Sequence, residues 1–187
     1  MIGDLPGWHH ARVLIRRETA ADVEAIRGVV ARAFTKPPSS PSAEGVMESL
    51  LVDELRADPG WIPALSLVAV DDSGVVGHVT CTRATIAGRP ALGLGPLAVD
   101  PPRQGAGVGS ALVHAVLGAA DALDEPIVVL LGSPLYYHRF GFVLASSCGV
   151  VPPVPGWDPH FQVRTLTTYQ PDLRGPFEYA EPFVRTY

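Results

Sequence analysis

The length, composition and charge of the chain favour one globular domain and exclude several classes of protein. With 187 residues, 47% of them hydrophobic, the chain can bury one core, but no stretch approaches the roughly 20 apolar residues of a membrane span. A net charge of −5 argues against a general nucleic-acid binder, which carries a basic excess. Two distant cysteines, Cys81 and Cys148, exclude a Cys-based zinc finger and a disulfide framework, which predicts a reducing, cytoplasmic location.

Two helices are predicted after a short strand at 12–16. Thr19 is expected to cap the first helix, because an acidic residue three positions later, Asp22, completes a capping pattern. The second helix is predicted over 43–57, where an Asp-Pro-Gly sequence stops it. Apolar residues recur at helical spacing and are expected to face the core: Val23, Ile26, Val30 and Phe34 in the first helix, and Met47, Leu50, Leu51 and Leu55 in the second.

Three strands are predicted next. The runs 65–70 and 75–86 form a hairpin, because the Asp-Asp-Ser-Gly sequence between them is a turn signal. The third run, 92–99, contains Pro96, which cannot donate to a sheet ladder. Pro96 therefore predicts a bulge or an unpaired edge at this point.

The remaining elements complete a mixed α/β pattern. After a loop at 100–106, a long helix is predicted over 107–123 and a buried strand over 127–131. Ser133 and Pro134 open a short helix that ends at Gly141. Further strands are predicted at 142–151 and 161–167, separated by a proline-rich loop. The order β-α-α-β-β-β-α-β-α-β-β predicts a central, mostly antiparallel sheet.

A glycine-rich loop between the third strand and the long helix is the most informative segment. The first amides of a helix lack internal partners and lie at the positive end of its dipole. Glycines at 105, 107 and 109 would let a pyrophosphate approach that backbone. A Walker A loop needs a lysine that is absent here, and a dinucleotide loop needs G-x-G-x-x-G in a parallel βαβ unit. A flexible glycine-rich turn without a ligand remains the alternative.

Two motifs carry a resemblance to a known family. The sequence Gln104–Gly109 matches the coenzyme A loop, Arg/Gln-x-x-Gly-x-Gly/Ala, of the GNAT acetyltransferases. One strand downstream, the segment 136–142 (Tyr-Tyr-His-Arg-Phe-Gly-Phe) resembles the Tyr-x-x-x-Gly-Phe ending of that family. The resemblance is close over 92–142, and the chain is similar to a bacterial group of predicted N-acetyltransferases that share both segments and a Leu-Gly-Pro-Leu-Ala-Val strand.

The resemblance implies a single GNAT-like α/β (α+β) domain. That domain is expected over 12–168, between a loose N-terminal arm at 1–11, which lacks the features of a signal peptide, and a C-terminal tail at 169–187. The central sheet is expected to be mixed and mostly antiparallel, with helices on both faces. It should be splayed between the fourth and fifth strands.

The resemblance also implies a reaction and a set of binding residues. Acetyl-CoA would be the cosubstrate, without a metal, and a primary amine would attack its thioester in a ternary complex. A backbone N–H near Val99 would polarise the carbonyl, and Tyr137 would protonate the leaving thiolate. The pantetheine arm would pair with Leu97, Ala98 and Val99. The pyrophosphate would be held by Arg103, Gln104, Gly105, Ala106, Gly107, Val108, Gly109 and Ser110.

The base and the acceptor stay open at this stage. An active-site role and a structural role are both compatible with the candidate bases, which are Glu48, Asp53, Glu54, His78 and His138. The acceptor is expected to be a small-molecule or peptide amine, with no nucleic-acid or membrane partner. The loop containing Trp157 either walls the acceptor pocket or is a plain surface connection. The oligomeric state is open between monomer and homodimer.

Two other functions are compatible with the same loop. One is a catalytically silent coenzyme A-binding sensor or structural module, because a fold does not fix a function. The other is a nucleotide-binding protein that uses the glycines for a different phosphate.

Overall fold

The computed structural model describes residues 13–35 and 43–186, so the predicted arm at 1–11 lies outside the described residues. The strands within them are β1 (Leu14–Arg17), β2 (Trp61–Asp71), β3 (Gly74–Ile86), β4 (Arg89–Val99), β5 (Ile127–Leu131), β6 (Val143–Leu144), β7 (Val150–Val151), β8 (Phe161–Thr165) and β9 (Gly175–Glu178). The helices are α1 (Val23–Ala33), α2 (Ala43–Ala57), α3 (Val108–Ala122), α4 (Pro134–Tyr137) and α5 (Glu181–Thr186).

The strands form one mixed, mostly antiparallel sheet. Its order is β1-β2-β3-β4-β5-β8-β6, and β9 pairs with β3 and with β7. The pairs β4–β5 and β7–β9 are parallel, and the other pairs are antiparallel. The predicted fold class is therefore confirmed.

Local sequence signals account for the first elements. Asp22 Oδ2 accepts hydrogen bonds from the Thr19 backbone amide at 2.7 Å and from the Thr19 hydroxyl at 2.8 Å, so the predicted capping pattern is present. In the β2–β3 hairpin, the Ser73 amide donates to Asp71 Oδ1 at 2.8 Å. This bond stabilises the turn, because the Asp71 carboxylate accepts from the amide two residues later in the way that a backbone carbonyl would in an ordinary turn.

Helices cover both faces of the sheet. On one face, α3 packs Leu112, Val113 and Val116 against apolar residues of β2, β3, β4 and β5. On the other face, Ile26 of α1 and Val52 of α2 pack in one cluster with sheet residues. Successive strand residues point to opposite faces, which is why β3 can serve both layers.

The sheet separates between β4 and β5. These parallel strands pair only at Leu92 with Val128 and at Gly93 with Val129. On the other side of β4, the register with β3 shifts between Val79 and Cys81, opposite the Gly95-Pro96 peptide, which is cis. Pro96 predicted a bulge or an unpaired edge, and both are present: the bulge on the β3 side of β4 and the unpaired edge on the β5 side. The expected splaying between the fourth and fifth strands is confirmed.

Two segments differ from the sequence-based expectation. The single strand predicted at 142–151 is wrong, because a 3₁₀ turn at Ala145–Cys148 separates β6 from β7. The segment expected to be a tail contains β9 and α5. Its residues Phe177 and Phe183 are buried, so this segment completes the core that a boundary at 168 would exclude.

Candidate active site

The glycine turn before α3 presents unpaired backbone amides. Gly105 has φ 74° and Gly107, the N-cap of α3, has φ 87°, a left-handed conformation that favours glycine. In the described part of the chain, a Cβ at either position would meet no atom within 4 Å. The first amides of α3 lack intrahelical acceptors by construction, so the turn opens onto a positively polarised helix end.

The end of β4 presents a second set of unpaired backbone amides. The Asp100 amide donates to the Val76 carbonyl at 2.9 Å, and Val99 and Leu97 lie opposite Gly77 and Val79 of β3. Because backbone groups alternate between the two edges of a strand, the Leu97 and Val99 amides point away from β3. They face the gap left by β5.

A cavity of about 400 Å³, here called the loop cavity, joins the glycine turn and this strand edge. It brings seven of the predicted binding residues together and adds Tyr136 and Arg139. Gln104 Nε2 donates to the Val99 carbonyl at 3.0 Å and so connects the turn to the strand. The lining residues are Leu97, Val99, Gln104, Gly105, Gly107, Gly109, Ser110, Tyr136 and Arg139.

The other predicted binding residues lie outside this lining. Ala98 and Val108 are buried on the two faces of the sheet, and Ala106 is exposed in the glycine turn. The Arg103 Nε donates to Asp71 Oδ2 at 2.7 Å, so that guanidinium is held beside the β2–β3 turn. Arg139, whose guanidinium carbon lies 4.9 Å from the centroid of the Tyr136 ring, brings a positive charge to the loop cavity instead.

The two adjacent tyrosines of α4 serve different cavities. A Cβ on Gly109 would lie 2.7 Å from the Tyr136 hydroxyl, which shows that the third glycine of the loop makes room for this side chain. The ring of Tyr137 covers Gly132, where a Cβ would lie 2.5 Å from Cε2. Tyr137 lines the second cavity rather than the first.

The second cavity lies where β4 and β5 separate and has a volume of about 260 Å³. We call it the aromatic cavity, because five of its walls are ring side chains: Phe34, Tyr137, Trp157, Tyr179 and Phe183. Leu97 lines both cavities, so the two cavities adjoin at this residue of β4. Of the two interpretations of the Trp157 loop, the structure favours a pocket wall.

Burial raises the pKa of Tyr137 above its ordinary value, and the neighbouring Tyr136 and Cys81 raise it further. The phenol is therefore protonated at neutral pH and can donate a proton.

A carboxylate lies on the buried face of α2. The buried residues of this helix include Glu48, Leu51, Val52 and Leu55, which follow i, i+3, i+4, i+7 spacing. The sequence predicted that Met47 and Leu50 face the core together with Leu51 and Leu55. This is wrong for the first two, because Met47 and Leu50 are 47% and 55% exposed. Glu48 is 8% exposed and lines the aromatic cavity. The sequence signal for this buried carboxylate is an acidic residue, Glu48, at a position of α2 that is in register with the apolar residues of the buried face.

The other candidate bases have different surroundings. Asp53 accepts hydrogen bonds from Arg27 at 2.6 Å and from Arg56 at 2.8 Å. Glu54 is half exposed and lies 3.8 Å from Arg185. His138 is exposed, with Nδ1 3.1 Å from the Pro134 carbonyl oxygen. None of these side chains lines either cavity in the described part of the molecule.

His78 belongs to a buried polar cluster instead. Its Nε2 lies 3.2 Å from Glu18 Oε2 and 3.0 Å from Ser66 Oγ, while Ser66 Oγ donates to the same carboxylate oxygen. Arg56 Nε donates to the other oxygen at 2.8 Å. Burial lowers the pKa of His78, and the fully buried ring lines neither cavity. The cluster connects Glu18, which directly follows β1, with α2, β2 and β3.

Comparisons with known proteins agree with this geometry. Residues 63–144 match the acetyltransferase (GNAT) domain. The chain is 35% identical over 177 residues to the uncharacterized N-acetyltransferase YhbS of Escherichia coli, covering 92% of this chain and 99% of the relative. The chain belongs to the GNAT acetyltransferase family. It is also 35% identical over 170 residues to a second uncharacterized N-acetyltransferase of that bacterium, YjhQ, with 87% and 89% covered.

Two solved structures of GNAT proteins have the same fold. The crystal structure of YhbS in complex with CoA superposes with a TM-score of 0.83 at 34% identity, covering 94% of this chain and 93% of that chain. A GNAT family acetyltransferase from Brucella melitensis in complex with acetyl-CoA superposes with a TM-score of 0.74 at 33% identity, covering 93% and 99%.

Two further features of the described GNAT fold concern metal binding and membrane spans. Within residues 13–35 and 43–186, no group of three or more His, Cys, Asp or Glu side chains is placed to hold a metal ion. Across the same residues, every helix is too short or too polar to traverse a lipid bilayer.

Proposed function

We propose that this GNAT protein transfers an acetyl group from acetyl-CoA to a primary amine in the cytoplasm. One observation carries the proposal: the separated end of β4 leads through one 3₁₀ turn (Pro101–Arg103) into the glycine turn of α3 and also borders the cavity lined by Tyr137 and Glu48. The free thiols Cys81 and Cys148 are compatible with a reducing compartment.

The residues of the loop cavity fit coenzyme A. An anionic diphosphate suits the amide-rich turn at the N-terminus of α3, and Arg139 adds a positive charge at the same cavity. The turn would bind the diphosphate through residues 103–110, mostly through their backbone amides. An extended pantetheine arm, which carries amide groups, could pair with the open backbone of β4 as a short additional strand. Strand alternation supports a pairing with Leu97 and Val99, on either side of Ala98.

The reacting groups would meet at Leu97, where the two cavities join. Acetyl-CoA supplies a thioester carbonyl carbon, to which the amine nitrogen forms a bond while the carbon–sulfur bond breaks. Glu48, which lines the acceptor side, would accept the proton that the ammonium loses before attack. The nitrogen would lose its second proton to solvent as the amide forms, and Tyr137 would regain a proton from solvent after giving its own to sulfur. The Val99 amide would donate to the carbonyl oxygen. Tyr137 would protonate the leaving sulfur, and holding both substrates together supplies much of the rate enhancement.

A calorimetric titration with acetyl-CoA tests the binding part of the proposal. We expect saturable binding to the wild type and none to Gly107→Glu, because that side chain places a negative charge in the turn. Gly88→Glu is the matched control. Gly88 also has a positive φ, 75°, with open space around it, but it lies in the β3–β4 turn. Equal loss of acetyl-CoA binding in Gly107→Glu and Gly88→Glu, or no binding by the wild type, would contradict the proposal.

A thiol-release assay over a panel of amines tests the chemistry. We expect CoA release that depends on an acceptor, and a kcat about 10²-fold or more lower in Tyr137→Phe, as for loss of a general acid. Tyr136→Phe is the control, because Tyr136 lines only the loop cavity. Tight binding of acetyl-CoA without turnover of any amine would instead support the silent coenzyme A-binding module.

A further inference from the structure

A cavity of about 470 Å³ lies next to the loop cavity and is lined by basic side chains. Its walls include His114 of α3, Arg139 of the turn after α4 and Arg164 of β8, and we call it the basic cavity. Arg139 also lines the loop cavity, so the two cavities adjoin at this side chain. Positive charge therefore extends beyond the glycine turn itself.

Both arginines of the basic cavity keep donors that a ligand could use. Arg139 Nε donates to the Tyr136 carbonyl at 2.9 Å, and Arg164 Nη1 donates to the Thr165 carbonyl at 3.0 Å. Within the described part of the chain, neither guanidinium forms a salt bridge with a carboxylate. Because a guanidinium has five N–H donors, each arginine has several left, and a neutral carbonyl partner does not cancel its charge.

The other polar groups of the basic cavity leave its lining positive. Asp121 is the carboxylate among the described lining residues, and its two oxygens accept from the Thr167 amide at 2.8 Å and the Thr167 hydroxyl at 3.1 Å. The His114 ring packs edge-on against Phe140, with the ring centroids 5.1 Å apart. One nitrogen of a neutral imidazole is a donor, so His114 can also donate to an anion.

The basic cavity lies one helical turn from the glycine turn. Ser110 lines the loop cavity and His114 lines the basic cavity. Residues four apart share a helix face, and these two are about 6 Å apart along the axis of α3. The ribose of coenzyme A carries the diphosphate at its 5′ position and a further phosphate at its 3′ position. With the diphosphate at the glycine turn, the 3′-phosphate would be one sugar ring away, beside the basic cavity.

We propose that the basic cavity binds the 3′-phosphate of coenzyme A, with Arg139 and Arg164 donating to its oxygens. This inference rests on the proposed function, because the diphosphate must occupy the glycine turn for the 3′-phosphate to reach these arginines. Guanidinium groups suit this role, since they can bind phosphate oxygens through two N–H groups at once. The protein would therefore select coenzyme A over 3′-dephospho-coenzyme A, which lacks only this phosphate.

Parallel calorimetric titrations with acetyl-CoA and with 3′-dephospho-acetyl-CoA test this inference. For the wild type, we expect a dissociation constant at least about tenfold higher without the 3′-phosphate, the scale of charge-assisted hydrogen bonds. The ratio of the two dissociation constants should fall as NaCl is added, because salt screens a partly exposed charge pair.

Matched variants connect the selectivity to named residues. Arg164→Gln should weaken acetyl-CoA binding about fivefold or more and leave 3′-dephospho-acetyl-CoA binding unchanged, because Arg164 lines the basic cavity but not the loop cavity. Arg164→Lys, which keeps the charge, should retain part of the selectivity. Arg174→Gln is the control and should bind both ligands as the wild type does. Arg174 is also exposed and donates through Nε to a carbonyl three residues earlier, but in the described structure it lines neither cavity.

The outcomes separate the two proposals. If the wild type binds neither ligand, the proposed function fails. If it binds both with dissociation constants within about twofold of each other, far below the effect of a charge-assisted bond, only the 3′-phosphate assignment is overturned. Equal weakening of both ligands by Arg164→Gln would also overturn the assignment, because the side chain would then act on the whole cosubstrate or on the fold.

Discussion

Replacement of Glu18 by glutamine is expected to destabilise the protein in a strongly pH-dependent way. The Glu18 side chain is 9% exposed and accepts hydrogen bonds from Arg56 and Ser66, with His78 Nε2 also in contact. Burial alone would raise the pKa of Glu18, but the bonds from His78, Arg56 and Ser66 outweigh it and lower the pKa from 4.5 to about 2. The ionised carboxylate therefore stabilises the folded state.

The magnitude follows from linkage between ionisation and folding. The fall from 4.5 to about 2, at about 1.4 kcal/mol for each pH unit, corresponds to about 3 kcal/mol of unfolding free energy at pH 7. Because the folded-state pKa is the lower one, this contribution is complete above pH 4.5 and is lost as the pH falls towards 2. At pH 3, about 1 kcal/mol should remain.

Urea unfolding of wild type and Glu18→Gln, followed by tryptophan fluorescence at pH 7 and at pH 3, measures the difference directly. The gap in unfolding free energy should shrink from about 3 to about 1 kcal/mol. Glu24→Gln is the control, because Glu24 is 87% exposed in its pair with Arg27 and such pairs contribute little. A gap that stays constant between the two pH values would refute the reasoning.

Three further outcomes are expected. Gly132→Ala should lower kcat about tenfold or more while acetyl-CoA affinity changes little, because the new Cβ displaces the Tyr137 ring and misplaced catalytic groups are costly; unchanged kcat would contradict this. Gly118→Ala should raise the free energy of unfolding, measured by urea denaturation, by about 0.5–1 kcal/mol, since Gly118 is an exposed helical site with open space around it. A pH–rate profile should show no loss of kcat through pH 10, because the pKa of Tyr137 is raised; a decline there that Tyr137→Phe removes would count against burial of the phenol.

Much of the loop cavity follows from the sequence because its geometry is local. The glycines, the start of α3 and Pro96 lie within a segment of 14 residues, 96–109, and each has a backbone consequence that depends little on distant residues. Arg139 and Tyr136 fall within the recognised motif, but motif spacing alone does not show which side of α4 faces which cavity.

The aromatic cavity could not be predicted in the same way because it is assembled from distant segments. β9 has four residues, including Pro176, and α5 has six, so neither carries enough periodicity to be recognised. Three aromatic residues in this segment, Phe177, Tyr179 and Phe183, were the available signal for burial. Glu48 was obscured because two different faces of α2 look apolar, and only packing against the sheet distinguishes them.

The separated strand has a consequence for how the molecules behave in concentrated solution. An unpaired strand edge is a surface on which another chain can add and begin aggregation. In this fold the open stretch of β4 is short, because β5 pairs with the strand as far as Gly93, and Pro96 interrupts its donors. Such an edge can accept one brief extended segment but cannot propagate an intermolecular ladder, which favours a protein that stays dispersed even when no ligand covers the edge.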